Sequence, residues 1–119
     1  MGTKITDERP WGRFEQFTLN ERSTVKLLYI KAGKRLSYQY HRHRSEFWHV
    51  VSGEAVVTIN GKDKKLRKDG ETVVPKLAKH RITGLTDTIV LEVAFGKFDE
   101  NDIIRIEDDF GRTFNKHLK

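Results

Sequence analysis

Short apolar and β-branched runs recur along the whole chain with glycine-bearing turns between them, and no long stretch keeps the spacing of an amphipathic helix. A chain written this way can bury its apolar side chains only as strands, so an antiparallel all-β domain is predicted. Strands are expected over residues 15–18, 25–30, 37–43, 46–51, 55–59, 72–74, 79–84 and 88–95. Asn60-Gly61 is the clearest turn. Both central positions of a tight hairpin turn need positive φ, and this pair tolerates it best, so 55–59 should fold back onto a strand through Lys65 and Leu66. Gly33, Gly53, Gly70 and Gly84 punctuate the other connections. The stretch 98–119, acidic and then basic, is expected to wrap around the edge of the fold or to form a short helix.

With 119 residues the chain suits a single domain, taken here as 1–119. Seven Phe, three Tyr and two Trp supply the bulk to fill a small barrel. No apolar run approaches the roughly 20 residues that cross a bilayer. The opening Met1-Gly2-Thr3-Lys4-Ile5 has no signal-peptide hydrophobic segment, so a cytoplasmic protein without membrane attachment is expected. The net charge of +6 is spread over the sequence without aromatic interleaving, which argues against a nucleic-acid partner. Its densest basic stretch, Lys62 to Lys68, reads as a lysine-protected strand edge. Two or three of the remaining cations are enough to hold a small anion.

Absence of cysteine removes disulfides and thiolate sites, so any metal must be held by imidazole, carboxylate, amide or water. Two segments carry such groups: Gln39-Tyr40-His41-Arg42-His43-Arg44-Ser45-Glu46, closed by Gly53, and Gly70-Glu71-Thr72-Val73-Val74-Pro75, followed by His80. On one extended strand Gln39, His41 and His43 share a face. Glu46 has the opposite parity and joins them only if the chain turns or bulges near Arg44-Ser45, after which Glu46, Trp48 and Val50 point inward and His49 points away. His49 alone reads as a packing residue, and His117 as part of the tail.

These residues resemble the cupin superfamily, whose first motif carries two histidines, a glutamate and a glycine and whose second carries Gly, Pro and His. Glu46 follows His43 one residue early, and Leu77 stands where that pattern has Gly. More narrowly, the chain resembles the C-terminal cupin domain of the type II mannose-6-phosphate isomerase/mannose-1-phosphate guanylyltransferase family. The matching segments are Arg9-Pro10-Trp11-Gly12-Arg13-Phe14-Glu15, Leu36-Ser37-Tyr38-Gln39, the His41 to Trp48 stretch, Val51-Ser52-Gly53, Pro75 with His80-Arg81, and the run from Asp102 through Asp108-Asp109-Phe110-Gly111 to Arg112. No Gly-rich phosphate loop is present, so the resemblance implies the isomerase-type half alone.

The resemblance implies a single double-stranded β-helix, or jelly-roll barrel, with N- and C-terminal extensions and with the metal in its mouth. It implies a divalent ion, zinc first, with manganese, cobalt or nickel as alternatives. His41, Glu46 and His80 are the shared ligands, and Gln39 and His43 compete for the fourth place. Lys26, Arg44 and Arg105 are the candidates for binding a sugar phosphate, and Arg112 and His43 those for catalysis; Arg81 is a further cation of interest. The implied reaction is interconversion of mannose 6-phosphate and fructose 6-phosphate by proton transfer between C1 and C2. Its base is a metal-bound water, His43 or an acidic residue. The alternatives are a non-catalytic or differently specific cupin that binds a sugar or sugar nucleotide, and an epimerase. A homodimer is expected, and Trp11-Gly12 is a candidate for a strand exchanged between subunits.

Overall fold

Short apolar runs separated by turns build two antiparallel sheets that face each other. The computed structural model describes residues 4–113. Its strands are β1 (Ile5–Arg9), β2 (Gly12–Gln16), β3 (Ser23–Ile30), β4 (Tyr38–Tyr40), β5 (Arg44–Ser52), β6 (Ala55–Ile59), β7 (Lys62–Leu66), β8 (Glu71–Val74), β9 (His80–Gly84), β10 (Thr88–Gly96) and β11 (Ile104–Glu107). One sheet has the order β3-β10-β5-β8 and the other β11-β4-β9-β6-β7, while β1 and β2 form a separate hairpin. This is an all-β jelly roll of the cupin kind. No helix among the described residues is long and apolar enough to cross a membrane.

The core lies between the sheets. Trp48 and Val50 from β5, Val90 from β10, Val57 from β6 and Ile82 from β9 are all buried. Val57 and Ile82 face each other across the β6–β9 ladder. Cutting Ile82 to Ala would leave a cavity costing about 2–5 kcal/mol. The inward parity expected for Glu46, Trp48 and Val50 holds, and His49 points outward to Glu71.

The Asn60-Gly61 turn forms with φ of 48° and 79°, in the left-handed region that the hairpin requires. At Gly53, which closes the first motif, φ is 86°. A Cβ there would run into the Asp87 carbonyl oxygen and lie 2.9 Å from Thr88 Cα.

Two expectations are corrected. The strand expected over 37–43 ends at Tyr40, and the chain bends at Arg42 and His43 before β5 begins. Residues 5–9, not expected to be a strand, pair with β2. Of the two courses expected for the stretch from 98, the wrap around the edge is the one seen, with β11 added to the edge of the second sheet beside β4 and no short helix among its described residues. The tail beyond residue 113, with His117, lies outside the described residues.

Candidate metal centre

The bend at Arg42 and His43 brings the first motif onto the second. Asp102, far along the chain, fixes it: its carboxylate accepts the backbone N–H groups of Arg42 and His43, each at 2.9 Å. Burial pushes the Asp102 carboxyl up, but these two amides outweigh it and hold it below the usual range. Its carbonyl oxygen accepts from His41 Nδ1 at 2.7 Å. From β9, His80 Nδ1 donates to the Ala78 carbonyl at 2.8 Å. A carbonyl oxygen can only accept, so both imidazoles carry a proton on Nδ1 and turn Nε2 towards Glu46.

His41, Glu46 and His80 are only 1–2% exposed. Glu46 Oε2 lies 3.7 Å from His41 Nε2 and Glu46 Oε1 lies 3.5 Å from His80 Nε2. Donors around a tetrahedral ion with bonds of about 2.05 Å stand about 3.3–3.4 Å apart, and one ligand atom from each of these three residues lies within 4.8 Å of the others, close enough to converge on an ion. The hydrogen bonding points the same way. Glu46 Oε1 and His80 Nε2 are buried without a hydrogen-bond partner, and buried acceptors left in this state are costly unless a cation serves them. Among the described residues these three are the group placed to share a metal. Burial, with the positive charge of Arg44, lowers the His41 pKa to about 4, so this imidazole is neutral at neutral pH, the form that coordinates a metal. Burial alone would raise the Glu46 carboxyl; the imidazoles of His80 and His41 and the Arg44 guanidinium outweigh it and hold it low.

Gln39 stands in register with His80 across β4 and β9. Its Nε2 is 3.3 Å from His41 Nε2, and its Oε1 accepts from the buried hydroxyl of Ser37. Turning the amide end for end would aim its oxygen at the centre and let its NH₂ donate to Ser37. His43 is exposed and stands outside this group, because the strand that would have aligned it with His41 ends at Tyr40.

The cations are divided. Arg44 is buried, donating from Nε to Glu46 Oε2 at 3.2 Å, with Nη2 3.3 Å from His41 Nε2. Lys26 lies in register with Glu92, and Glu92 with Trp48, along one inward-facing row. Arg105 lies in register with Gln39. Arg112 is not brought to the triad: it forms a two-pronged pair with Asp108 in the turn after β11. Arg81 faces away, donating to Glu107 at 3.1 Å, beside a cavity of about 460 Å³ lined by Arg35, Tyr38 and Thr58.

Glu92 went unnoticed in the sequence. It accepts from Trp48 Nε1 at 3.2 Å, and burial together with the charge of Glu46 raises its carboxyl to about 7. A lone acid at an inward position of the apolar β10 was the signal that pointed to it. Asp102 carried no comparable local signal.

Comparison with known proteins identifies the family. The family described as mannose-6-phosphate isomerase C-terminal matches residues 2–108. Mannose-1-phosphate guanylyltransferase ManC of Salmonella typhimurium is 40% identical over 108 residues, 88% of this chain and 22% of that protein. The alginate biosynthesis protein AlgA of Pseudomonas aeruginosa is 41% identical over 114 residues, 93% of this chain and 24% of its own length. The chain thus spans about a quarter of the length of the curated relatives it matches. Among solved structures, KdgF from Halomonas aligns with a TM-score of 0.61 at 16% identity, over 70% of this chain and 76% of that one. A cupin-superfamily sugar phosphate isomerase from Silicibacter pomeroyi aligns with a TM-score of 0.58 at 20% identity, over 66% and 53%. At these identities the likeness shows the fold alone.

The curated names correct the expected reaction. These relatives are named for guanylyl transfer and alginate biosynthesis, and they match this chain over one domain only. The expectation of a mannose 6-phosphate to fructose 6-phosphate isomerase is therefore withdrawn, since a domain's name does not carry a reaction with it. What the family match and the likeness of these relatives establish is membership: the chain belongs to the mannose-6-phosphate isomerase C-terminal family.

Proposed function

We propose that this chain is a metal-holding cupin domain that binds a small phosphorylated sugar. One observation carries the reading: two buried imidazole nitrogens and a carboxylate converge with their acceptor atoms turned towards one another, and Glu46 Oε1 and His80 Nε2 lack partners. His41, Glu46 and His80 would hold the ion, with the Gln39 amide oxygen as the fourth protein ligand. Zinc suits a set of two imidazoles, a carboxylate and an amide without thiolate. When bound, such an ion supplies a Lewis acid that polarises an oxygen of the sugar. Arg44, Lys26 and Arg105 on the surrounding rows supply positive charge for an anionic group, while exposed His43 and the Asp108-paired Arg112 stand outside the centre. The sugar-phosphate character of the family supports this choice of ligand.

The test is calorimetric titration of the zinc-loaded chain with mannose 6-phosphate and with mannose. Saturable binding of the phosphate ester, lost in His80→Ala, is expected; no heat of binding from the loaded protein would refute the reading. We further propose that the chain pairs with a second copy through the outward face of β3, where Val25, Leu27 and Tyr29 are exposed. Sedimentation equilibrium giving the mass of a single chain would overturn the pairing.

A further inference from the structure

The connection between β10 and β11 passes over the centre and meets its cations one by one. Phe98 holds the Lys26 ammonium 4.4 Å and the Arg44 guanidinium 4.3 Å from its ring centroid. The Asp99 carbonyl oxygen accepts from Arg44 Nη1 at 3.1 Å, and the Glu100 carboxylate accepts from Lys26 Nζ at 2.9 Å. The segment closes on itself through Asp102 N–H to the Asp99 carbonyl and Asn101 N–H to the Asp99 carboxylate, both at 2.9 Å.

Three kinds of group therefore engage the two cations: an aromatic face, a carbonyl and a carboxylate. The Glu100 side chain is 76% exposed, so its pair with Lys26 is screened by water and easily exchanged. Arg44, by contrast, is buried and also tied to Glu46, so its guanidinium is fixed in place whatever covers it. A fixed, buried fork and a flexible ammonium on a neighbouring strand are the two donors a phosphate monoester dianion takes best. His41, Glu46 and His80 are only 1–2% exposed, with the 98–100 segment tied to Arg44 beside them. A sugar phosphate reaching the triad must therefore displace a cover.

We propose that Lys26 and Arg44 form the phosphate subsite of the metal centre, and that Phe98, Asp99 and Glu100 occupy it in the place of the phosphate as a displaceable internal competitor. The inference rests on the preceding reading that the centre binds a phosphorylated sugar. The carboxylate of Glu100 and the phosphate compete for the same ammonium, and the Phe98 ring competes for the space between the two cations. Binding affinity is thus set as much by how readily residues 98–100 leave as by the contacts the phosphate makes.

The experiment uses the zinc-loaded full chain, with mannose 6-phosphate, mannose and inorganic phosphate as probes. It compares the wild type with Phe98→Ala, Glu100→Gln and Lys26→Met by calorimetry, and follows the rate at which a chelator strips zinc from each. Removing the competitor should tighten mannose 6-phosphate by about tenfold in Phe98→Ala and somewhat less in Glu100→Gln. Lys26→Met should weaken it by a similar factor, and inorganic phosphate should compete. Zinc should leave faster from Phe98→Ala and Glu100→Gln, which reads the cover independently of any sugar. If mannose 6-phosphate binds the wild type and none of the three substitutions changes its affinity, the subsite is overturned while the metal-centre reading stands. An equal gain for mannose also overturns it, since the effect would then not concern the phosphate. Failure of mannose 6-phosphate to bind any variant, with zinc retained, removes the preceding reading and the subsite with it. Glu100→Gln guards against a folding defect in Phe98→Ala, because it alters only an exposed carboxylate.

Discussion

At the scale of single residues, the least expected feature is Leu77, the residue that stands where the cupin pattern has glycine. It adopts φ of 68°, and its N–H donates to the His41 carbonyl at 2.9 Å, tying the turn before His80 to the turn after β4. A side chain in that conformation costs about 1–2 kcal/mol, whereas glycine enters it freely and a β-branched residue does worst. Because glycine also loses more chain entropy on folding, Leu77→Gly should gain only about 0.5–1 kcal/mol, and Leu77→Val should lose at least as much. Urea unfolding of the three proteins tests the order Gly, Leu, Val; any other order contradicts a strained turn. Glu92 gives a second test. Its folded-state carboxyl is raised to about 7 from an ordinary 4.5, so between those values the folded chain binds more protons than the unfolded one. Stability from this residue is present at acid pH and is lost as pH rises through the window, by at most about 3 kcal/mol. Glu92→Gln keeps an acceptor for Trp48 and removes the charge. Measured without metal, it should gain on the wild type between pH 5 and pH 8, and parallel pH profiles for the two proteins would rule out a buried, uncharged Glu92.

Individual elements show what alternation in a sequence can and cannot reveal. The strands β3, β5, β6, β9 and β10 were legible because each carries a short apolar, β-branched run between turn residues. β1, the start of β2 and β11 were not, since they bury little and their charged residues form no such run, while the strand expected over 15–18 caught only the end of β2. The triad was legible from residue types and spacing, but the choice between Gln39 and His43 was not, because parity along one continuous strand assumed that the strand continues. It stops where Asp102 pulls the Arg42 and His43 amides into a turn, a contact spanning some 60 residues that no local pattern encodes. Asp102 is thus the residue by which β11 and its approach position the first motif. Asp102→Ala should leave the sheets intact and release His41, lowering zinc affinity by about 10–100-fold. Competition with a chromogenic chelator would measure this, and an unchanged affinity would show that the turn holds without it.

For the molecule as a whole, the two sheets place one row of polar residues, Arg105, Gln39 and His80, opposite another in which Lys26 and Glu92 lead to the core residue Trp48. The apolar layer of Val50, Val57, Ile82 and Val90 seals the other end of the jelly roll. Burial at that end stabilises the fold, which leaves the polar rows free to serve chemistry rather than stability. The triad at their meeting point is the claim on which the functional reading stands. Its most direct test is the zinc content of the chain after stripping with chelator and reloading, for the wild type, His80→Ala, Gln39→Ala and His43→Ala. About one zinc per chain is predicted for the wild type and for His43→Ala, weakened retention for Gln39→Ala and none for His80→Ala. A wild-type chain that takes up no zinc, or a His80→Ala chain that takes up as much, would contradict it.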